Sequence, residues 1–195
     1  MLTQEEALAI YKKRNAYLQG HFKLSSGLHS EFYLQSALVL QYPHDAWKLC
    51  SSIAEYFKDK DIDVVVAPAM GGVLVSYDVA KALGENIRAI FAERVDGKLT
   101  LRRGFSIDKN DRVLVVEDVV TTGKSVNETL DLVREYSDNI VGVGALVDRG
   151  GNFDPKGLDY FPLIKLSITN YEPDNCPLCK KGIPIEKPGS RFIKK

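Results

Sequence analysis

Residues 112–125 read RVLVVEDVVTTGKS, and this stretch decides the fold. An apolar, β-branched run meets two adjacent carboxylates, Glu117 and Asp118. It then passes through small hydroxyl and glycine residues into a helical period. In open α/β sheets, ligands lie beyond the carboxyl ends of the strands, and a helix N-terminus there presents unpaired N–H groups and a positive dipole. Residues 121–125 therefore predict a phosphate site. Two carboxylates beside a phosphate would repel it unless they serve something else, and ribose hydroxyls or a Mg²⁺ ion fit that role. The stretch reads as a ribose 5-phosphate cradle. A Walker loop is excluded, because its first glycine would fall on Asp118. A dinucleotide fingerprint fails as well: Gly142 and Gly144 lie within an apolar run, and Val147 stands at the third glycine position.

Outward from this stretch, continuous apolar runs at 64–67, 87–91, 113–116, 140–147 and 163–168 alternate with helical periods at 73–83 and 125–136. Such runs without polar alternation predict a mainly parallel sheet covered by helices on both faces. Upstream, Thr3 with Glu6 forms a capping-box pattern. Ala7, Leu8, Tyr11 and Leu18 follow at helical spacing, with Gly20 as the stop. Short apolar runs at 22–24 and 32–34 flank a polar, glycine-bearing loop and predict a hairpin. A second helix starts near Pro43, with Trp47, Cys50, Ile53, Ala54 and Phe57 on one face. The charged segment 93–104 is long for an α/β loop and predicts a lid with its own hairpin. The organisation expected is one domain over 1–195, with N-terminal helices and a hood at 1–60, a parallel-sheet core at 61–170 and an extended tail at 171–195.

The chain has 195 residues, 45% hydrophobic and 27% charged, with 26 basic and 26 acidic residues and a formal net charge of zero. That composition excludes disorder and provides no overall field for nucleic acid or an anionic membrane. No segment has the length and apolarity of a membrane span, and MLTQEEALAIYKK lacks the features of a secretory leader, so a cytoplasmic protein is expected. Of three cysteines, Cys176 and Cys179 form a CxxC. A closed zinc site needs four ligands, and His21, His29, His44 and Cys50 stand at no motif spacing to the pair, so a reduced structural turn is favoured. His29 is expected to face solvent. The basic residues Lys180, Lys181 and Arg191 are read as a solvated tail.

VLVVEDVVTTGKS closely resembles the phosphoribosyl diphosphate (PRPP) motif of the type I phosphoribosyltransferases. Residues 20–33, GHFKLSSGLHSEFY, resemble the N-terminal signature of the orotate phosphoribosyltransferases. Pro68-Ala69-Met70-Gly71-Gly72 is similar to that family's pyrophosphate loop, Val147-Asp148-Arg149 to its orotate-side segment, and the tail around Cys176 and Cys179 to the ending of one prokaryotic branch. The resemblance implies Mg²⁺-dependent transfer of phosphoribosyl from PRPP to orotate in UMP synthesis, by a homodimer that shares loop 93–104 across its interface. It implies PRPP contacts from Ala69, Met70, Gly71, Gly72, Arg94, Glu117, Asp118, Val119, Val120, Thr121, Thr122, Gly123, Lys124 and Ser125. Orotate contacts are implied for Ser26, Gly27, Tyr33, Thr121 and Arg149, with Mg²⁺ carried by PRPP rather than by dedicated ligands.

The chain departs from its better-studied relatives where they carry lysines, having Val95, Gly71 and Ser25 instead. Charge at the leaving group is then expected from Arg94, Lys98, Arg102 or Arg103, acting with Glu117 and Asp118. A purine-base transferase and a PRPP-sensing regulator of the same fold are the alternatives. The hairpin signature argues against the first, and the lack of a basic face against the second.

Overall fold

The computed structural model describes residues 1–24, 26–151 and 153–187. Helix α1 (Gln4–Lys13) opens with the expected capping box: Thr3 Oγ1 accepts from the Glu6 N–H at 3.2 Å, and Glu6 Oε2 accepts from the Thr3 N–H at 2.8 Å. It ends at Lys13 rather than running to Gly20. Asn15 takes a left-handed φ of 53°, and the following residues form β1 (Tyr17–Lys23), which pairs antiparallel with β2 (His29–Leu34). Leu18 thus belongs to a strand, and the hairpin is longer than its apolar runs indicated. After a single turn, α2 (Ala37–Leu40), comes α3 (Pro43–Phe57), which buries Leu49, Cys50, Ile53, Ala54 and Phe57.

The α/β pattern then runs as expected: β3 (Val64–Pro68), α4 (Gly71–Leu83), β4 (Arg88–Val95), β5 (Lys98–Leu101), β6 (Val113–Val120), α5 (Lys124–Arg134), β7 (Ile140–Asp148) and β8 (Tyr160–Lys165). The strand order is β5-β4-β3-β6-β7-β8, parallel except for β5, which returns antiparallel on β4. Alternate strand residues feed two cores. Val65, Ala67, Leu114 and Val116 pack with α1, α3 and α4, while Val64, Val66, Val113 and Val115 pack with α5. Both faces are covered, which explains the absence of polar alternation in these runs.

Gly142 and Gly144 serve this packing. A Cβ at Gly142 would lie 2.7 Å from the Phe57 ring, and one at Gly144 2.5 Å from Ile53, so glycine lets α3 sit close on β7. Segment 93–104 does contain a hairpin, turning at Asp96 and Gly97 with φ of 47° and 86°, the left-handed pair that suits a two-residue turn.

The described part of the tail, 171–187, is not extended. β9 (Asn170–Tyr171) adds to β2, α6 (Pro177–Lys180) makes one turn, and Glu186 bridges to Phe22 of β1. The C-terminal segment therefore folds onto the N-terminal hairpin. Ser25 and Arg191, singled out in the sequence, lie outside the described residues.

Candidate functional site

β3 pairs with β6 only from Val64–Val66 to Val113–Val115, while β6 continues along β7 as far as Val120. A cleft opens where the two strands part. Glu117 and Asp118 lie inside β6 rather than at its end, and they border the cleft because β6 has lost its pairing with β3 beyond Val66 and Val115. The loop after β3 closes the other side, with a cis peptide bond between Ala69 and Met70. A Cβ on Gly71 would fall 2.3 Å from the Asp118 carboxylate, and one on Gly72 would fall 2.8 Å from the Ala67 Cβ. As it now lies, Asp118 thus occupies the space that a side chain at 71 would enter.

Glu117 is buried, and burial, followed by the charge and hydrogen bonding of Asp118, pushes its carboxyl up to about 9. Its Oε1 accepts from the Asp118 N–H at 3.0 Å. None of the ion pairs among the described residues includes either carboxylate. The pair therefore fits hydroxyl donors and a cation supplied from outside the chain.

Beyond β6, Thr121, Thr122 and Gly123 turn the chain into α5. Gly123 is the N-cap, at φ 75°, and no side chain caps the helix. Its first N–H groups are left for a ligand. The turn is tightly built: a Cβ on Gly123 would strike the Phe153 ring at 2.2 Å, and one on Gly151 would meet the Thr121 carbonyl at 2.0 Å. Glu117 and residues 119–126 line one concavity here, which brings together most of the PRPP set expected from the sequence.

Arg149 follows β7 at the neighbouring strand end, its N–H donating to the Val120 carbonyl at 2.9 Å. Its Nε and Nη2 are buried with no hydrogen-bond partner. Burial lowers its pKa, with Tyr33 as the opposing neighbour. An unpaired, desolvated guanidinium beside a phosphate-ready turn is an anion receptor, its fork matched to a carboxylate.

Tyr33 stands 5.7 Å from Phe22 between ring centroids, so it packs within the hairpin as well as neighbouring Arg149. Ser26 is exposed and Gly27 turns at φ 90° in the hairpin loop. Arg94 and Arg103 of segment 93–104 are engaged away from the acidic pair. Arg94 binds Glu128 of α5 and the Gly97 carbonyl, and Arg103 makes two bonds to Glu93 at 2.8 and 2.9 Å. Lys98 and Arg102 are exposed and enter no ion pair among the described residues.

One expectation is corrected and another is extended. His29 does not face solvent; it is buried against His21. The CxxC thiols are free, as expected, but they do have partners that spacing did not indicate, because the fold brings Cys176 and Cys179 to both His21 and His29. Sequence spacing missed this cluster, whose four members come from β1, β2 and the tail.

The family described as phosphoribosyl transferase domain matches residues 43–172. The chain is 53% identical over 193 residues to the orotate phosphoribosyltransferase of Caldicellulosiruptor saccharolyticus, covering 99% of this chain and 100% of that one. It is 50% identical over 192 residues to the enzyme of the same name from Pelotomaculum thermopropionicum, with 98% and 100% covered. Among solved structures, the orotate phosphoribosyltransferase of Mycobacterium tuberculosis in complex with PRPP superposes with a TM-score of 0.66 at 25% identity, covering 83% of this chain and 96% of that one.

Proposed function

The chain belongs to the orotate phosphoribosyltransferases of the phosphoribosyl transferase domain family, and from that membership we infer how its own residues carry the transfer of phosphoribosyl from PRPP to orotate. The products are pyrophosphate and orotidine 5-phosphate, the precursor of UMP. The observation that carries the orotate assignment is Arg149, a buried guanidinium with two unsatisfied nitrogens beside the phosphate turn. A base bearing a carboxylate satisfies it with opposite charge as well as two hydrogen bonds, whereas a purine offers only neutral acceptors.

The 5-phosphate is assigned to the uncapped start of α5, over 121–125, and the ribose hydroxyls to Glu117 and Asp118. Departure of pyrophosphate leaves an electron-poor, oxocarbenium-like sugar, so the protein's part is electrostatic and positional rather than covalent. Asp118 places negative charge beside that sugar. Mg²⁺, bound with the diphosphate, supplies positive charge at the leaving group. Asp118 would be the side chain open to it, since no ion pair among the described residues includes either carboxylate. Gly71 and Gly72 admit the diphosphate close to the backbone after β3.

The lid hairpin of β4 and β5 is assigned the exclusion of water from the activated sugar. Its exposed Lys98 and Arg102 are the cations free to meet the leaving group, in the same site or in that of a second subunit. A homodimer sharing these hairpins is part of the proposal.

Spectrophotometric loss of orotate, with PRPP and Mg²⁺ and beside adenine, hypoxanthine, xanthine and uracil, tests the assignment. Turnover of orotate alone is expected. Turnover of a purine without orotate would overturn it.

A further inference from the structure

His21 lies in β1 and His29 in β2, two strands whose register sets Lys23 opposite His29. His21, two residues before Lys23, therefore shares a face with His29 on the diagonal. Against that face the tail delivers Cys176 and Cys179, both free thiols. The four donor atoms lie within 4.8 Å of one another.

Four of the six donor–donor distances lie close to those of a coordination shell. His21 Nε2 lies 3.1 Å from His29 Nδ1, 3.5 Å from Cys176 Sγ and 3.7 Å from Cys179 Sγ, and His29 Nδ1 lies 3.3 Å from Cys179 Sγ. A tetrahedral ion with metal–nitrogen bonds of about 2.0–2.1 Å and metal–sulfur bonds of about 2.3 Å has N···N edges of about 3.4 Å and N···S edges of about 3.5 Å.

Hydrogen bonding alone does not account for the arrangement. His21 Nδ1 is 2.8 Å from the Ile183 carbonyl, which can only accept, so the proton resides on Nδ1 and Nε2 presents a single lone pair. Three donor atoms crowd that one lone pair. One ion at their centre satisfies all four groups at once. The bond from Nδ1–H to a backbone carbonyl is the outer contact that orients metal-bound histidines.

We propose that His21, His29, Cys176 and Cys179 form a closed, structural zinc site that fastens the C-terminal segment to the N-terminal hairpin. Two thiolates and two neutral imidazoles balance a dication, so the centre, buried on all but its Cys179 side, carries no net charge. The donor set suits zinc, and four protein ligands leave no open position for catalysis. The site also supplies what this corner of the fold lacks. Phe22, Cys176 and Leu178 are buried yet belong to neither hydrophobic cluster of the main sheet. A small three-stranded sheet with so thin a core gains its rigidity from a metal. The tail already brackets His21: Glu186 donates its N–H to the His21 carbonyl at 2.8 Å and accepts from the Lys23 N–H at 2.9 Å.

The test uses the full chain, produced with zinc and purified under reducing conditions, with metal measured by mass spectrometry. About one zinc per chain is expected, falling to background in Cys176→Ser and in His29→Ala. Replacement by Co²⁺ should give the thiolate charge-transfer and visible bands of a tetrahedral Cys₂His₂ site. If those variants fold poorly, the parent protein stripped by a chelator decides. Amide exchange should quicken over 17–34 and 170–186 while β3, β6 and β7 stay protected, and zinc should restore the difference. Substoichiometric zinc after reconstitution, a disulfide between the two cysteines in the reduced preparation, or zinc that persists in both variants would each overturn the assignment.

Discussion

Replacing Arg149 by methionine separates what this residue costs the empty protein from what it contributes to binding. Its Nε and Nη2 are buried without partners. Leaving one such guanidinium edge buried and unsatisfied costs about 1–3 kcal/mol, whereas an apolar side chain of similar length costs nothing of the kind. Arg149→Met should therefore stabilise the ligand-free protein by about 1–3 kcal/mol, which for a domain of this size raises Tm by about 3–9 °C. The same change removes a two-pronged, charge-assisted contact to the orotate carboxylate, a loss of about 3–5 kcal/mol. At 1.4 kcal/mol per tenfold, KM for orotate should rise about 100- to 1,000-fold or more. The carboxylate is present before and during bond breaking, so kcat should change much less than KM. Thermal unfolding by circular dichroism and the orotate absorbance assay give the two readouts. A Tm at or below that of the parent, together with an orotate KM within about threefold, would refute both halves of the reasoning.

Three further outcomes are expected. Because the Glu117 carboxyl is raised to about 9 in the folded chain, the folded state holds a proton that the unfolded state releases near its ordinary value of 4.5. Ligand-free stability should thus fall as pH rises from about 5 to 9, by at most about 1.4 kcal/mol per unit, and Glu117→Gln should flatten that fall in urea titrations. Gly71→Ala puts a Cβ 2.3 Å from the Asp118 carboxylate as it now lies, so Asp118 must swing away. Turnover should drop by about tenfold or more, the loss expected of Asp118→Asn itself, with little change in Tm; undiminished kcat would show that Asp118 needs no fixed position. In the lid, Arg103 is held by Glu93 while Arg102 enters no ion pair among the described residues. Arg102→Ala should accordingly lower kcat more than Arg103→Ala, and mixing Arg102→Ala with Asp118→Asn subunits should recover activity if the hairpins cross between subunits. No recovery once subunit exchange is demonstrated would confine each lid to its own site.

What the sequence determined by itself is what depends on neighbours along the chain. The passage from the apolar run of 113–116 through Glu117 and Asp118 to the glycine turn at 123 is a local device. β-branched residues, a left-handed glycine and an uncapped helix start carry their conformations with them, so the turn proposed as the phosphate cradle was readable before any folding. The capping box at Thr3 and Glu6 and the covered valine strands were legible for the same reason.

Long-range pairing decided the rest. α1 stops before β1 because residues 17–23 gain a strand partner in 29–34, an interaction that outweighs helical spacing. The acidic pair borders a cleft because β6 parts from β3 after Val115 yet continues along β7, a divergence that no single segment states. Arg149 becomes a receptor only where burial strips it of water and the fold withholds a carboxylate. The four metal donors are the clearest case. Cys176 Sγ and His21 Nε2 stand 3.5 Å apart although 155 residues separate them in the chain. No spacing rule reaches that far. The pairing of β9 with β2 and the bridge from Glu186 to Phe22 bring the tail back to the hairpin, and tertiary structure alone turns two histidines and a CxxC into one site.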